Sequence, residues 1–188
     1  TKVTDALSGE TIYTYDEAGN LLSQTDAIGN TTRWTYDHLG RITRRTLPLD
    51  LAETFTYDAK GNMLTHTDFN GQTTAFVYDE NDRLLGKTYA SGSTVSYTYT
   101  PTGLLATLTD SRGTTNYSYD QRDRLTGVTY PNGSVISYAY DAVGNRTSVT
   151  TPAGTTAYSY DALNRLATVA DPDGGITSYT YDAVGNRA

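Results

Sequence analysis

Asp residues recur along this chain, and repeated carboxylates of this kind suggest the paired acid and base groups of a glycosidase as one hypothesis. Asp16, Asp37 and Asp58 each follow a Tyr, and further copies come later in the chain. Glycosidases use two carboxyl groups about 5 to 9.5 Å apart, one of which acts as an acid. Because the same Asp returns in one identical context after another, the pattern favours a structural use of the carboxylates. No catalytic residue is therefore predicted.

The remaining residues with metal-binding or catalytic chemistry are few. His38 and His66 have no recurring carboxylate or Ser partner nearby in sequence, so neither a catalytic triad nor a metal site is supported. Asp171 and Asp173 could offer oxygen ligands to Ca²⁺, but no EF-hand spacing and no Gly-Gly-x-Gly-x-Asp repeat accompanies them. We predict no metal and no cofactor.

The Asp residues belong to a signature that occurs nine times: an aromatic residue, a small or β-branched residue, Tyr and then Asp, which Thr100 replaces once. The Tyr residues are 21 residues apart, with two units of 20. A fixed period in this range is typical of a stacked array of one supersecondary unit. Residues 1–188 are thus predicted to be a single array of about nine repeats, a piece of a longer array.

Each repeat carries two turn signals. The residue three after the Asp is Gly, Asp or Asn, the types that tolerate positive φ, so a turn opened by the Asp is expected there. About ten residues later a second signal recurs, at Gly29, for example. The residues predicted to form the repeat signature, as structural rather than catalytic residues, are Tyr15, Asp16, Gly19, Tyr36, Asp37, Gly40, Tyr57, Asp58, Gly61, Tyr78, Asp79, Tyr119, Asp120, Tyr140, Asp141, Gly144, Tyr160, Asp161, Tyr181, Asp182 and Gly185.

Stretches of about six residues rich in Thr, Tyr, Val and Leu lie between the turns, which indicates β-strands. The two aromatic residues of each signature are two apart and therefore share a sheet face, forming two columns that hold 18 of the 21 aromatic residues. A hydroxyl ladder is expected from Thr25, Thr46, Thr67, Thr88, Thr109, Thr129 and Thr150.

The residue just before the ladder position changes from polar to apolar near Thr100. It is polar in the first half of the chain (Gln24, Arg45, His66, Lys87) and apolar in the second (Leu108, Val128, Val149, Val169). We hypothesise that one sheet face passes from solvent to a packed layer there. The hypothesis requires Lys87 and Val128 to differ in solvent exposure.

Nine hairpins make about 17 strands, which would span about 80 Å as a flat sheet. Open twisted sheets seldom exceed about 10 strands without curling. The predicted fold class is all-β: tandem β-hairpin repeats of about 21 residues in a continuous antiparallel, spirally wound sheet that forms a hollow shell or barrel-like wall.

Charge and hydropathy exclude several partners. The net charge of −7 opposes binding to phosphate backbones and to anionic lipid, so no nucleic acid partner is predicted. No apolar run approaches the roughly 20 residues of a membrane span, and residues 1–7 do not have the character of a signal peptide. The chain has no Cys, which rules out thiol chemistry but does not indicate a compartment.

The strings Tyr140-Asp141-Ala142-Val143-Gly144-Asn145-Arg146 and Tyr160-Asp161-Ala162-Leu163-Asn164-Arg165-Leu166 strongly resemble the YD repeat of bacterial Rhs proteins, which also occurs in insecticidal toxin complexes and teneurins. The resemblance implies a spiral sheet that encloses a toxic C-terminal domain, and export from the cell. The family's self-cleavage motif, Asp-Pro-x-Gly-Leu, is incomplete here, because Gly175 stands where the motif has Leu. No cleavage site is carried over onto this chain.

The favoured function is therefore a non-catalytic segment of a shell that encloses and helps deliver a toxin, in a secreted or extracellular protein. The expected partners are further repeats of the same chain, an enclosed toxin domain or other copies of the chain, and possible glycan ligands. Two alternatives stay open: an extracellular adhesion or carbohydrate-binding surface, and a self-assembling tube or filament.

Overall fold

The computed structural model of the protein describes residues 1–188 and contains almost only β-strands. The strands are β1 (Lys2–Thr4), β2 (Glu10–Tyr15), β3 (Leu21–Thr25), β4 (Thr31–Tyr36), β5 (Ile42–Thr46), β6 (Ala52–Tyr57), β7 (Met63–Thr67), β8 (Thr73–Tyr78), β9 (Leu84–Thr88), β10 (Thr94–Tyr99), β11 (Leu105–Asp110), β12 (Gly113–Tyr119), β13 (Leu125–Thr129), β14 (Val135–Tyr140), β15 (Arg146–Thr151), β16 (Gly154–Tyr160), β17 (Leu166–Ala170) and β18 (Ile176–Ser178). One 3₁₀ turn, Pro48–Asp50, connects β5 to β6.

The strands are paired antiparallel, and the chain divides into two compact units. The first unit, Thr1–Val95, holds β1 to β9, and the second, Ser96–Ala188, holds β11 to β18 and most of β10. Within each unit every strand pairs with the strands next to it in sequence. The predicted class, all-β with tandem antiparallel hairpins, is confirmed.

A β-bulge recurs at the Tyr of the signature. In the hairpin of β2 and β3, Thr14 lies opposite Ser23 whereas Tyr15 lies opposite Leu21, so Leu22 is an extra residue on the second strand. The same register shift occurs in the hairpins whose first strands end at Tyr57, Tyr119 and Tyr160. A bulge increases the local right-handed twist, so twist is expected at each of these hairpins.

The two faces of the sheet differ in chemistry because successive side chains point to opposite sides. The ring face carries the aromatic columns and the residues opposite them; Tyr13, for example, pairs with Gln24. The hydroxyl face carries the residue between the two aromatics, such as Thr14 or Thr35, and this residue is solvent-exposed in all nine repeats.

Little of the molecule is buried. Val128 is the one buried apolar residue, at 6 % exposure, and Glu53 and Thr115 are the buried polar residues. Contacts between strands are dominated by consecutive strands, so within each unit the sheet forms a single layer. The cohesion of a single-layer repeat comes from contacts between neighbouring strands rather than from a central core.

The predicted change of burial near Thr100 is found at one position only. Lys87 is partly exposed and Val128 is buried, as the hypothesis required. Leu108, Val149 and Val169, however, are partly exposed like their polar counterparts in the first unit. The prediction of a packed layer over the second half is therefore wrong, because no element covers the ring face there.

The second turn of the repeat comes in two lengths. Between β3 and β4 three residues separate Asp26 from Asn30, whose main chains pair. Between β11 and β12, Asp110 pairs with Gly113 and only two residues form the turn; Thr151 and Gly154 are paired in the same way. The two repeats of 20 residues are those with the shorter second turn.

Candidate functional site

The Asp of the signature organises the first turn through both of its carboxylate oxygens. In the first repeat Asp16 Oδ1 accepts hydrogen bonds from the backbone N–H groups of Ala18 (3.0 Å) and Asn20 (2.8 Å). Asp16 Oδ2 accepts a hydrogen bond from Asn20 Nδ2 at 2.8 Å. Gly19 closes the turn at φ +88°, where residues other than Gly are strained. Both carboxylate oxygens thus accept hydrogen bonds from their own hairpin.

Each Asp of the signature is followed four residues later by Asn or Arg, and the same arrangement recurs in each of these turns. Asn62 and Asn145 donate to the Asp of their own turns and also reach the next repeat, where they donate to Asp82 and Asn164. Every residue predicted from the sequence to close a first turn has positive φ: Gly19, Gly40, Gly61, Asp82, Gly103, Asp123, Gly144, Asn164 and Gly185.

Where the residue after the turn is Arg, its guanidinium connects two repeats. Arg41 Nε donates to Asp37 Oδ2 at 2.7 Å, and Arg41 Nη1 donates to the carbonyl oxygen of Asp58 at 3.0 Å. The same guanidinium lies 4.7 Å from the ring centroid of Tyr57, within cation–π distance. Arg124 makes the equivalent three contacts with Asp120, Asp141 and Tyr140.

The Tyr of the signature forms a second bond between repeats. The Tyr36 hydroxyl donates to the carbonyl oxygen of Leu21 at 2.8 Å, and the Tyr140 hydroxyl donates to that of Leu125 at 2.9 Å. Equivalent bonds are formed by Tyr57, Tyr119, Tyr160 and Tyr181. Each of these carbonyls lies at the start of the strand that precedes the Tyr-bearing strand, so the hydroxyl bond joins one repeat to the next.

The electrostatics of the turns follow from these bonds. Hydrogen bonds from the side chain and backbone of Asn20 lower the pKa of Asp16, and those from Asn62 lower the pKa of Asp58. Burial raises the pKa of Tyr36 and of Tyr57. An Asp with a lowered pKa is a poor general acid near neutral pH, so these carboxylates are suited to holding turns rather than to proton transfer.

Thr100 replaces the Asp with a weaker acceptor. Its hydroxyl oxygen accepts one backbone hydrogen bond, from Leu104 N–H at 3.1 Å, and contacts the Thr102 hydroxyl at 2.9 Å. Gly103 still closes the turn at φ +91°. The hairpin is therefore retained with fewer hydrogen bonds than an Asp would provide.

The hydroxyl face carries a ladder of side-chain hydrogen bonds. Thr25 contacts Thr31 at 2.9 Å and Thr67 contacts Thr73 at 2.8 Å. Thr109 and Thr150 pair with Thr114 and Thr155, both at 2.8 Å. The predicted ladder is thus present at four of these threonines, and a second row joins Thr14 to Ser23 at 2.6 Å.

One cluster departs from the repetition and was missed in the sequence. Glu53 is 8 % exposed. Its Oε1 lies 2.6 Å from Arg45 Nε, although the geometry of this contact is not that of a hydrogen bond. Its Oε2 lies 3.1 Å from His66 Nε2. The His66 ring stacks on Phe55, with centroids 4.8 Å apart. The signal was Glu53 itself, because the equivalent positions hold Thr, Val or Ile. Both carboxylate oxygens face basic partners, as in a partly buried ion pair.

The other residues considered for chemistry lie apart from one another. His38 is an exposed turn residue. The main chain of Asp171 pairs with Gly175 in an ordinary second turn, which Gly174 closes at φ +86°. No group of three or more His, Cys, Asp or Glu side chains is arranged to hold a metal ion.

Tandem hairpins, a recurrent Tyr-Asp turn and guanidinium contacts between repeats define a β-hairpin repeat protein. The family model described as RHS Repeat matches residues 1–27, 15–52, 37–73, 78–115, 119–156, 140–176 and 160–188. The chain belongs to the RHS repeat family. No curated protein sequence matches it.

Solved structures with a similar fold are components of toxin complexes. The crystal structure of TcdB2-TccC3 without its hypervariable C-terminal region is 22% identical with a TM-score of 0.67, covering 95% of this chain and 12% of that one. The Photorhabdus luminescens Tc holotoxin pore is 20% identical with a TM-score of 0.63, covering 95% of this chain and 13% of that one. The chain thus spans about an eighth of these neighbours. No helix is long and apolar enough to cross a membrane.

Proposed function

We propose that this chain is a wall segment of a shell that encloses a polypeptide cargo, a toxin domain, in an exported protein, and that it has no catalytic activity of its own. The observation that carries the proposal is the single-layer sheet, in which the recurring Asp, Arg and Tyr groups are committed to hairpins and to contacts between repeats. A sheet of this kind can be extended repeat by repeat without a new core at each step.

The geometry of the hairpins supports the proposal of enclosure. A recurrent bulge adds twist at every hairpin, and long twisted sheets curl rather than stay flat. We propose that the array continues beyond residues 1–188 and winds round a lumen. The similarity of its fold to a segment of TcdB2-TccC3 supports this proposal. Export and an extracellular location are part of the same proposal.

The adhesive alternative, with sugars bound along the aromatic columns, is less well supported. The column rings are mostly partly buried, and Tyr57, Tyr140 and Tyr181 each have a guanidinium over the ring and a hydroxyl bonded to a carbonyl. A ring whose face and hydroxyl are already occupied has little left to offer a ligand.

Limited proteolysis of the full-length gene product tests the proposal. We expect a segment that follows the repeats to resist a protease while the shell is intact, and to be digested rapidly when the same segment is produced alone. Equal digestion rates in the two contexts would show that the repeats enclose nothing. Detection of a hydrolytic activity that Asp58→Asn and Asp141→Asn abolish without loss of folding would contradict the non-catalytic part.

A further inference from the structure

The residue four positions after each signature Asp alternates between two types along the chain. It is Asn in one hairpin and Arg in the next, and we call these the Asn hairpins and the Arg hairpins. The Asn hairpins carry Asn20, Asn62, Asn145 and Asn186, and the Arg hairpins carry Arg41, Arg83, Arg124 and Arg165. The hairpin of Thr100 takes the place of an Asn hairpin and carries Leu104. The sequence thus has a second period, two hairpins long.

An Arg hairpin contacts the Asn hairpin that follows it through its guanidinium. Arg41 donates to the carbonyl oxygen of Asp58 and lies over the ring of Tyr57. Its Nη1 is 3.6 Å from the position that a Cβ at Gly61 would take, so a longer side chain there would meet the guanidinium. Every first turn that follows an Arg hairpin is closed by Gly: Gly61, Gly103, Gly144 and Gly185.

The contact from an Asn hairpin to the next Arg hairpin is of a different kind. Because the Asn side chain is short, it contacts a side chain of the following turn instead of the main chain. The residue that closes the following turn accepts the hydrogen bond: Asn62 Nδ2 donates to Asp82 Oδ1 at 2.8 Å, and Asn145 Nδ2 donates to Asn164 Oδ1 at 3.0 Å. In the hairpin of Leu104, the Thr102 hydroxyl donates to Asp123 Oδ1 at 2.9 Å.

The residues that accept these bonds have a strained backbone. Their φ values are 62°, 59° and 60° at Asp82, Asp123 and Asn164. Gly adopts positive φ at a lower cost than Asp or Asn. The hydrogen bond between hairpins therefore explains why these three turns are not closed by Gly. The exception is Gly40, which follows Asn20 and has no side chain to accept such a bond.

The second turns of the second unit independently follow the two-hairpin period. The turns that lead to an Arg hairpin are short, and those that lead to an Asn hairpin are long: Asp110–Gly113 and Thr151–Gly154 are short, and Tyr130–Ser134 and Asp171–Gly175 are long. The Gly of each short turn approaches the Pro of the next long turn, with Cβ positions 2.8 Å and 2.6 Å from Pro131 Cβ and Pro172 Cβ.

We propose that a pair of hairpins is the unit of assembly, and that the first turns select which hairpin pairs with which. The edge of an Asn hairpin fits an Arg hairpin whose turn is closed by Asp or Asn. The edge of an Arg hairpin fits an Asn hairpin whose turn is closed by Gly. Two like hairpins side by side lose a contact, because a donor or an acceptor is left without its partner. This selection does not depend on the enclosure of a cargo.

Three deletions in the second unit test the proposal. Removing residues 130–150 deletes one Asn hairpin, removing 151–170 deletes the next Arg hairpin, and removing 130–170 deletes both. Each cut falls just after the strand that precedes a second turn, at Thr129 or Thr150, so every variant keeps a complete second turn.

The deletions differ in the neighbours that they create. The first places the hairpin of Arg124 beside that of Arg165, and the second places the hairpin of Asn145 beside that of Asn186. Both single deletions thus bring like hairpins together. The double deletion places the hairpin of Arg124 beside that of Asn186, which restores the alternation although the chain is shorter.

Circular dichroism melting of the parent chain and the three variants measures the effect. We expect the double deletion to lower the melting temperature by at least about 4 °C less than the sum of the two single deletions. If hairpins of either type were equivalent neighbours, the losses would add. A loss equal to or greater than that sum would overturn the proposal, as would a double deletion that does not fold when both single deletions do.

If a single deletion does not fold, the contact between Asn145 and Asn164 decides the result in the 188-residue chain. Asn164→Gly removes the acceptor and relieves the backbone, and Asn145→Ala removes the donor. We expect Asn164→Gly to change the melting temperature at least about 2 °C more favourably in the Asn145→Ala background than in the parent chain. Equal changes in the two backgrounds would show that the turns do not select their neighbours.

Discussion

The two carboxylate oxygens of each signature Asp have different partners. In Asp37, Oδ1 binds backbone N–H groups of its own turn, while Oδ2 binds a guanidinium that also reaches the next repeat. We propose that the Tyr-Asp signature is structural for this reason: the Asp fixes the turn, and the Tyr and the Arg join that turn to its neighbour. Single substitutions can separate these contributions.

Replacing Tyr140 by Phe removes the hydroxyl that donates to the Leu125 carbonyl oxygen while keeping the ring. We expect Tyr140→Phe to lower the free energy of unfolding by about 1 kcal/mol, because a partly buried carbonyl loses its partner. Tyr15→Phe is the control, since Tyr15 is 48 % exposed and its hydroxyl has no such acceptor. Urea denaturation measures both, and equal effects would show that the hydroxyl bond contributes nothing.

Restoring the missing Asp at position 100 should stabilise the chain. Thr100 accepts one backbone hydrogen bond, whereas Asp accepts two or more at the equivalent position of other repeats. We expect Thr100→Asp to raise the melting temperature by about 2–4 °C. The reverse exchange, Asp79→Thr, should lower it, and a melting temperature unchanged by both would disprove the account of the turn.

At the scale of the element, the repeat is a bulged hairpin followed by a second turn of variable length. The Tyr at the bulge donates its hydroxyl to a carbonyl of the preceding strand, and the shorter second turn brings Gly113 close to Pro131. The 20-residue repeats thus preserve the first turn and shorten only the second. The close approach of the two turns makes the glycine in the short turn harder to replace than a glycine in the long one.

Two glycines with positive φ test this difference. Gly133 has open space around its Cβ position, so Gly133→Ala should cost only the left-handed backbone conformation, about 1–2 kcal/mol. Gly113→Ala adds a clash at 2.8 Å with Pro131 and should cost at least about 1 kcal/mol more. Unfolding free energies of the two variants compare them directly, and equal costs would mean that the turns do not pack as described.

At the scale of the whole molecule, the repeated turns lower the pKa of many Asp residues in the same way. The pKa is lowered at Asp16, Asp26, Asp37, Asp58, Asp79, Asp110, Asp120, Asp141, Asp161 and Asp182. Where the folded pKa lies below the unfolded value of about 3.9, the unfolded chain binds more protons. The contribution of these carboxylates to the free energy of unfolding is therefore fully present at pH values above the unfolded pKa. It is lost as the pH falls through the folded pKa.

We therefore expect the chain to unfold in acid. Its melting temperature should be nearly constant above about pH 5 and should fall steadily below about pH 4. Because these carboxylates are at least partly exposed to solvent, added salt should reduce the effect. Circular dichroism at a series of pH values measures it, and a melting temperature that stays constant down to about pH 2 would contradict the role given to the carboxylates.

Much of this architecture could be predicted from the sequence, because each turn is a local feature. Asp followed three residues later by Gly, Asp or Asn favours a tight turn through local interactions, and positive φ is found at all the predicted positions. The bulge at Tyr15 and the bond from Tyr36 to Leu21 could not be predicted, since both depend on how one strand pairs with the next. The Glu53 cluster gives no periodic signal, and its partners Arg45 and His66 lie on the two strands that flank Glu53, so their contact depends on the strand register.

A cryo-electron microscopy reconstruction of the full-length gene product tests the central claim most directly. If this chain is part of an enclosing wall, the repeats will form a closed, hollow particle one sheet thick, with density for another part of the chain inside it. An open rod, a filament joined edge to edge or a solid two-layer domain would contradict the account, even if every hairpin were formed as described.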